Sequence, residues 1–284
     1  IYRNYRYILP HKGIGVSKYQ GFISFIQDYV PRTAHLVEIG SADGYLLDFL
    51  STKGYTHIEG FEPSQEFLFS KNKDKIRGDF FGEKTSFTSK VDAFILMHVL
   101  EHFPSPQDVV KNMRRNLSSQ GKILFEVPNF SGFYHQHLLF FSLHFVRHMA
   151  EEMGFKLISG VEDKNVLRVV LEENENIEKI EKIPSSISCE HLEKLERYAD
   201  QIQSHNERIL ANVKRILEES ILRGTPVYWW GTGSTSIITL ANINDDLLKN
   251  SQIILLDNDF DRKGFVLPLL AMQESPVCYA PDYL

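Results

Sequence analysis

At 284 residues, with 43% hydrophobic and 24% charged residues, the chain has the size and make-up of a globular protein of two domains, or of one large domain with an appendage. A net charge of −6 argues against a nucleic-acid surface, and the basic runs Lys71 to Lys75 and Arg114-Arg115 are short enough to read as solvated helix faces. Only Cys189 and Cys278 are present, too far apart for a disulfide framework or a zinc cluster. With no run of about eighteen apolar residues and no signal-peptide pattern, a cytoplasmic location is the expectation.

The first 19 residues form a tyrosine-rich arm with Tyr2, Tyr5 and Tyr7, suited either to crossing a ligand pocket or to packing on the core. Gln20 to Val30 follows as an amphipathic helix, with Phe22, Phe25, Ile26 and Tyr29 on one face. Leu36 to Ile39 is an apolar strand running into Gly40-Ser41-Ala42-Asp43-Gly44, after which Tyr45, Leu46, Leu47, Phe49 and Leu50 give a helix its buried stripe. The glycine spacing lacks the Gly-x-Gly-x-x-Gly pattern that seats a pyrophosphate on a helix N-terminus. Glu38, two residues before the first glycine, would repel a diphosphate and favour an ammonium or sulfonium ligand. About twenty residues beyond the loop, Glu62 ends the next strand, where an acid can take both hydroxyls of a ribose.

Glu38, Gly40, Gly44 and Glu62 together resemble the S-adenosylmethionine site of class I methyltransferases. That resemblance implies S-adenosyl-L-methionine as cofactor, with Ser41, Ala42 and Pro63 lining the same loop. An ordinary tight turn accounts for any one of these residues but not easily for all four.

Ser64 is a candidate N-cap for a helix through Phe69. Gly78-Asp79-Phe80-Phe81 falls where a class I methyltransferase grips adenine, so Asp79 would accept from the exocyclic amine and Phe80 would stack; a loop acid beside a core phenylalanine is the plain alternative. Val91 to Met97 reads as a strand buried on both faces. It ends in Met97-His98-Val99-Leu100-Glu101-His102, at the carboxyl edge where ligands collect in open α/β sheets, so Met97, His98 and His102 either line the cofactor cleft or position the next helix. The two histidines lack a third ligand in sequence, and no metal is expected.

Gln107 to Leu117 reads as a helix, Lys122 to Val127 as a strand, and Phe155 to Val161 with Val166 to Leu171 as a hairpin. The pattern predicts a seven-stranded, mostly parallel, Rossmann-like α/β sheet of the methyltransferase kind, spanning residues 20–175, with one antiparallel edge strand. Charged residues from Glu172 to Pro184 mark a boundary, and residues 176–223 form a linker and a long helix. The apolar repeat from Cys189 to Leu222 makes that helix about 50 Å long, enough to bridge two domains.

Residues 224–284 form a smaller C-terminal α/β domain that echoes a nucleotide fold. Strand and turn run from Pro226 through Gly231 and Gly233, and a second strand ends at Asp257. Ser236 replaces the third glycine of a dinucleotide fingerprint. The stretch from Asp257 is either a receiving point for a sugar or nucleotide or a plain loop.

Pro128-Asn129-Phe130-Ser131-Gly132-Phe133-Tyr134-His135-Gln136-His137 carries two histidines and a tyrosine in a connector at the mouth of the predicted cleft. A neutral imidazole there can take a proton near pH 7. The run Tyr134-His135-Gln136-His137, the long helix, the Trp230-Gly-Thr-Gly233 turn and the stretch Asp257 to Pro268 resemble the sugar C-methyltransferases that act on nucleotide-linked keto-deoxysugars. The resemblance implies that a base removes the proton beside a ketone and the enolate takes a methyl group. By that likeness His137 is the base, Tyr134 and Tyr5 or Tyr7 hold the substrate and steady its oxyanion, and His135, Gln136 and Asn129 complete the site.

Two departures stand out. Gln136 replaces a usual glutamate, and the family's cysteine-ligated zinc domain does not precede the tyrosine arm in this sequence. The expected partner is a small molecule, a sugar nucleotide or phosphorylated sugar, with no nucleic acid and no membrane. O-methylation by the same histidine, a non-catalytic cofactor-binding scaffold and a nicotinamide oxidoreductase are the competing readings.

Overall fold

A computed structural model describes residues 14–129, 138–139, 141–163, 166–174, 185–231, 234–257 and 278–279. The first helix, α1 (Ile14–Tyr29), starts earlier than the apolar spacing predicts. Tyr19 is buried one turn ahead of Phe22 and Ile23, and that contact extends the stripe backwards. β1 (Leu36–Ile39), α2 (Tyr45–Thr52), β2 (Ile58–Phe61), β3 (Ile76–Arg77), β4 (Val91–Met97), α3 (Pro106–Asn116) and β5 (Leu117–Pro128) follow. α4 (Leu143–Glu152) leads into β6 (Phe155–Asp163) and β7 (Val166–Glu173).

These strands make one seven-stranded sheet in the order β3-β2-β1-β4-β5-β7-β6. Alternation along β4 splits the core into two layers. Phe94 and Leu96 face Val110 and Met113 of α3 and Val146 and Met149 of α4. Ala93, Ile95 and Met97 face Phe22 and Ile26 of α1 and Leu46, Leu47 and Leu50 of α2.

Two expectations are corrected. The antiparallel strand is not at the edge: β7 runs antiparallel to both β5 and β6 and lies between them. Leu167, Val169, Val170 and Leu171 are fully buried, whereas Ile158 and Val161 of β6 are exposed, so the more apolar arm of the hairpin takes the inner place. The helix predicted from Ser64 is only a 3₁₀ turn, Glu66–Phe69. Leu68 and Phe69 are exposed, which leaves no buried stripe to extend it.

The chain divides into two compact units, Ile1–Ile187 and Ser188–Leu284. The second contains nearly all of α5 (Ser185–Arg223), then β8 (Val227–Trp230), α6 (Ser234–Ala241), α7 (Asp245–Asn250), β9 (Ile253–Leu256) and β10 (Cys278–Tyr279). Its strands form a parallel sheet in the order β10-β9-β8, over a core of Leu217, Leu240, Ile243, Leu248 and Leu255. No helix among the described residues is long and apolar enough to cross a membrane.

Candidate active site

The loop between β1 and α2 is built from left-handed backbone. Gly40 and Gly44 both sit at φ 76°, and Ala42 between them at φ 47°. A side chain at Gly44 would run into Ser70, and a Cβ at Gly40 would lie 2.5 Å from Val99 Cγ2. The Gly40 and Ser41 N–H groups both donate to the Phe61 carbonyl, at 2.8 and 3.0 Å, tying the loop to the end of β2.

Glu62 completes that tie. Ala42 N–H donates to its Oε2 and Ser64 N–H to its Oε1, each at 2.8 Å. The carboxylate predicted from spacing alone thus has a structural task, clamping the glycine loop to the start of the next segment. Each of its oxygens keeps a further lone pair.

Glu38 is buried beneath the loop, and its Oε2 lacks a hydrogen-bond partner among the described residues. Burial pushes the Glu38 pKa well above the usual carboxylate range; Ser41 works against this, while Asp43, Glu62 and Asp48 reinforce it. A buried acid with a free oxygen beside bare backbone suits a cationic ligand and opposes an anionic one. A cofactor that carries a sulfonium and an ammonium group fits that chemistry.

Further along the sheet edge, Asp79 accepts from the Phe80 N–H at 2.8 Å, and the Phe80 ring is 46% exposed beside the buried Phe81. Met97 is part of the core facing α1 and α2. His98 follows it at φ 54°, and Val99 presses on Gly40, so the turn after β4 lies against the glycine loop. His102 closes the 3₁₀ turn Leu100–His102 and Asn129 follows β5, so both lie at the carboxyl edge of the sheet.

The sequence did not reveal what surrounds His98. Its Nε2 lies 3.0 Å from Glu126 Oε1 and its Nδ1 3.6 Å from Glu101 Oε1; Glu126 Oε2 in turn accepts from Arg168 Nε at 2.6 Å. Burial alone would lower the His98 pKa, but the two carboxylates overcome it and lift it to about 9. Glu126 is held below the usual carboxylate range: burial pushes it up, and His98 with Arg168 outweigh that. His98 is therefore set between two acids that favour its cationic form, which favours its positioning role over its ligand role.

A signal for this cluster was present. Glu126 and Arg168 are charges inside apolar strands, and the β5–β7 register pairs them directly. The Glu101 carbonyl also accepts from the N–H groups of Leu138 and Leu139, at 2.9 and 3.3 Å, so the chain beyond residue 137 returns to the turn after β4.

Tyr5, Tyr7, Tyr134, His135, Gln136, His137 and Gly233 lie outside the described residues. In the second unit, the Gly231 N–H donates to the Leu256 carbonyl at 2.7 Å, which places Gly231 and Asp257 at neighbouring parallel strand ends. Ser236, read as replacing a glycine, donates from Oγ to the Gly231 carbonyl at 2.6 Å and accepts from Trp229 Nε1 at 2.9 Å.

A family model described as a methyltransferase domain matches residues 13–160, just over half of the chain. The chain belongs to that methyltransferase family. The protein is an S-adenosylmethionine-dependent methyltransferase, and the glycine loop with its buried acid falls inside the matched span.

Solved structures similar to this chain include magnesium protoporphyrin IX methyltransferase from Synechocystis PCC 6803 with bound SAM, at 10% identity and TM-score 0.45, covering 57% of this chain and 82% of that one. The 1,6-didemethyltoxoflavin-N1-methyltransferase of Burkholderia thailandensis has 10% identity and TM-score 0.48, covering 55% and 78%. A SAM-dependent methyltransferase from Aquifex aeolicus has 12% identity and TM-score 0.43, covering 55% and 97%. The search of curated proteins gave no match.

Proposed function

We propose that this methyltransferase acts on a sugar or sugar-like small molecule carried on a nucleotide or phosphate, and that it methylates the carbon beside a ketone. S-adenosylmethionine, when bound, supplies an electrophilic methyl group. On this reading Glu38 faces the cofactor's positive charge, Glu62 accepts the ribose hydroxyls with its remaining lone pairs, and Asp79 and Phe80 take the adenine. His137 removes the proton beside the ketone; Tyr134 and an arm tyrosine, Tyr5 or Tyr7, donate to the enolate oxygen.

The observation that carries the reading is where the Tyr134-His135-Gln136-His137 run leaves and rejoins the fold. Asn129 follows the carboxyl end of β5, and Leu138 and Leu139 are hydrogen-bonded to the turn after β4. Both flanks therefore stand at the sheet edge that carries the glycine loop, the edge where ligands collect in open α/β folds. The resemblance of the run to sugar C-methyltransferases supplies the substrate class.

Gln136 favours a second reading, O-methylation, because a hydroxyl acceptor needs less basicity than a carbon acid. One experiment separates the two. Nucleotide-linked keto sugars deuterated beside the ketone are incubated with a methyl-labelled donor and analysed by mass spectrometry. C-methylation adds the methyl and loses the deuterium; O-methylation adds the methyl and keeps it. Absence of methyl transfer to any keto sugar or polyol, by a chain that binds the donor, would remove the sugar reading.

A further inference from the structure

At the amino ends of β1 and β2, opposite the glycine loop, the register pairs Leu36 with Ile58. His35 and His57, one residue earlier on each strand, are therefore lateral neighbours, and Glu59 stands two residues beyond His57 on the same side of β2. The imidazoles of His35 and His57 stack at 4.0 Å between centroids, and His35 Nε2 lies 2.8 Å from Glu59 Oε1.

His35 Nδ1 lies 3.1 Å from the Lys90 carbonyl oxygen, which can only accept, and 3.4 Å from Ser89 Oγ, which can do either, so the shorter contact is made by the tautomer with its hydrogen on Nδ1. In the neutral ring Nε2 then presents a lone pair, directly at a carboxylate oxygen. At 2.8 Å the contact has hydrogen-bond length, so a metal ion entering here would take the place of the bridging proton. A carbonyl on the far ring nitrogen is also the usual means of aiming a histidine at a metal.

We propose that His35, His57 and Glu59 form a site for a divalent ion of the zinc class, with solvent in the fourth position. The three donor atoms lie within 4.8 Å of one another. Tetrahedral bonds of about 2.0–2.1 Å need them about 3.3 Å apart, so the half-buried Glu59 draws back by about 0.5 Å from His35 and the exposed His57 ring turns out of its stack toward them. The more buried members are braced from behind. His35 is 3% exposed, with its backbone N–H donating to Asp92 Oδ2 at 2.9 Å, and Glu59 keeps its other oxygen on Arg77, at 2.7 Å.

The charged neighbours balance: Arg77 opposes a cation and Asp92 favours it, while Lys90 directs its ammonium to the Arg115 carbonyl at 2.7 Å. The ion would pin the starts of two parallel strands at the end of the sheet remote from methyl transfer. Its expected effect is on stability and not on turnover.

The test titrates zinc chloride into the full chain, with a chromophoric chelator as competitor, and compares His57→Ala, Glu59→Gln and His148→Ala. The last is a control, because His148 and Glu152 form an ordinary i, i+4 surface pair at 3.3 Å. The proposal expects one ion held at about 1 μM or tighter, more than tenfold weaker binding in His57→Ala and Glu59→Gln, and none of that loss in the control. Cobalt substituted for zinc should show the visible bands of a tetrahedral site, absent in His57→Ala. Zinc binding weaker than about 100 μM, or equal in wild type and His57→Ala, overturns it, and the His35–Glu59 contact is then held by a proton.

Discussion

A buried carboxyl with an unsatisfied oxygen costs stability unless a ligand meets it, which makes Glu38 the most informative single residue. Glu38→Gln should weaken S-adenosylmethionine binding by about tenfold, or ~1.4 kcal/mol, read by titration calorimetry. Unchanged affinity would take Glu38 out of the site. Because burial raises its pKa, the ionised fraction grows with pH, so cofactor affinity should rise with pH in the wild type and lose that slope in Glu38→Gln.

His98 gives the opposite dependence, in stability. Its pKa rises from 6.5 to about 9 on folding, so its contribution is fully present below pH 6.5 and is lost as pH climbs through 9. The loss is at most about 3 kcal/mol, and His98→Gln should flatten this part of a denaturation series across pH. An identical pH profile in the variant would mean that Glu101 and Glu126 do not hold the imidazolium.

Among elements, the hairpin shows how strand composition sets position. Glu126 on β5 and Arg168 on β7 meet because β7 is the inner arm. Arg168→Met leaves Glu126 buried and short of a partner and should cost about 3 kcal/mol in chemical denaturation. Adding Glu126→Gln to it should recover part of that loss. Recovery of none would show that the two charges do not act as a pair.

The same elements show what sequence can carry. Strand, glycine loop, helix and acid at Leu36 to Glu62 were legible because each obeys a local rule: an apolar run, backbone that only glycine adopts cheaply, a 3.6-residue stripe. The ion-pair cluster around His98 was signalled only by two charges inside apolar strands, Glu126 and Arg168, since their meeting depends on which strands become neighbours, and the hairpin's place was misjudged for the same reason. The turn at Glu66 failed in the other direction. Its residues look helical, but Leu68 and Phe69 stay exposed among the described residues.

For the whole molecule, two units with separate cores predict two unfolding transitions in calorimetry. S-adenosylhomocysteine at about a hundred times its Kd should stabilise the methyltransferase unit by about 2.7 kcal/mol and move only that transition. A shift of both together would show that the units unfold as one.

The contact between Val99 and Gly40 joins the glycine loop, the proposed cradle of the methyl donor, to the ledge that carries His98 and, through the Glu101 carbonyl, the chain returning at Leu138. Enlarging residue 40 by a single methyl group would push on that ledge as well as on the cradle. Gly40→Ala is therefore expected to lower turnover at saturating donor as well as donor affinity, and steady-state kinetics would register the injury in both constants at once.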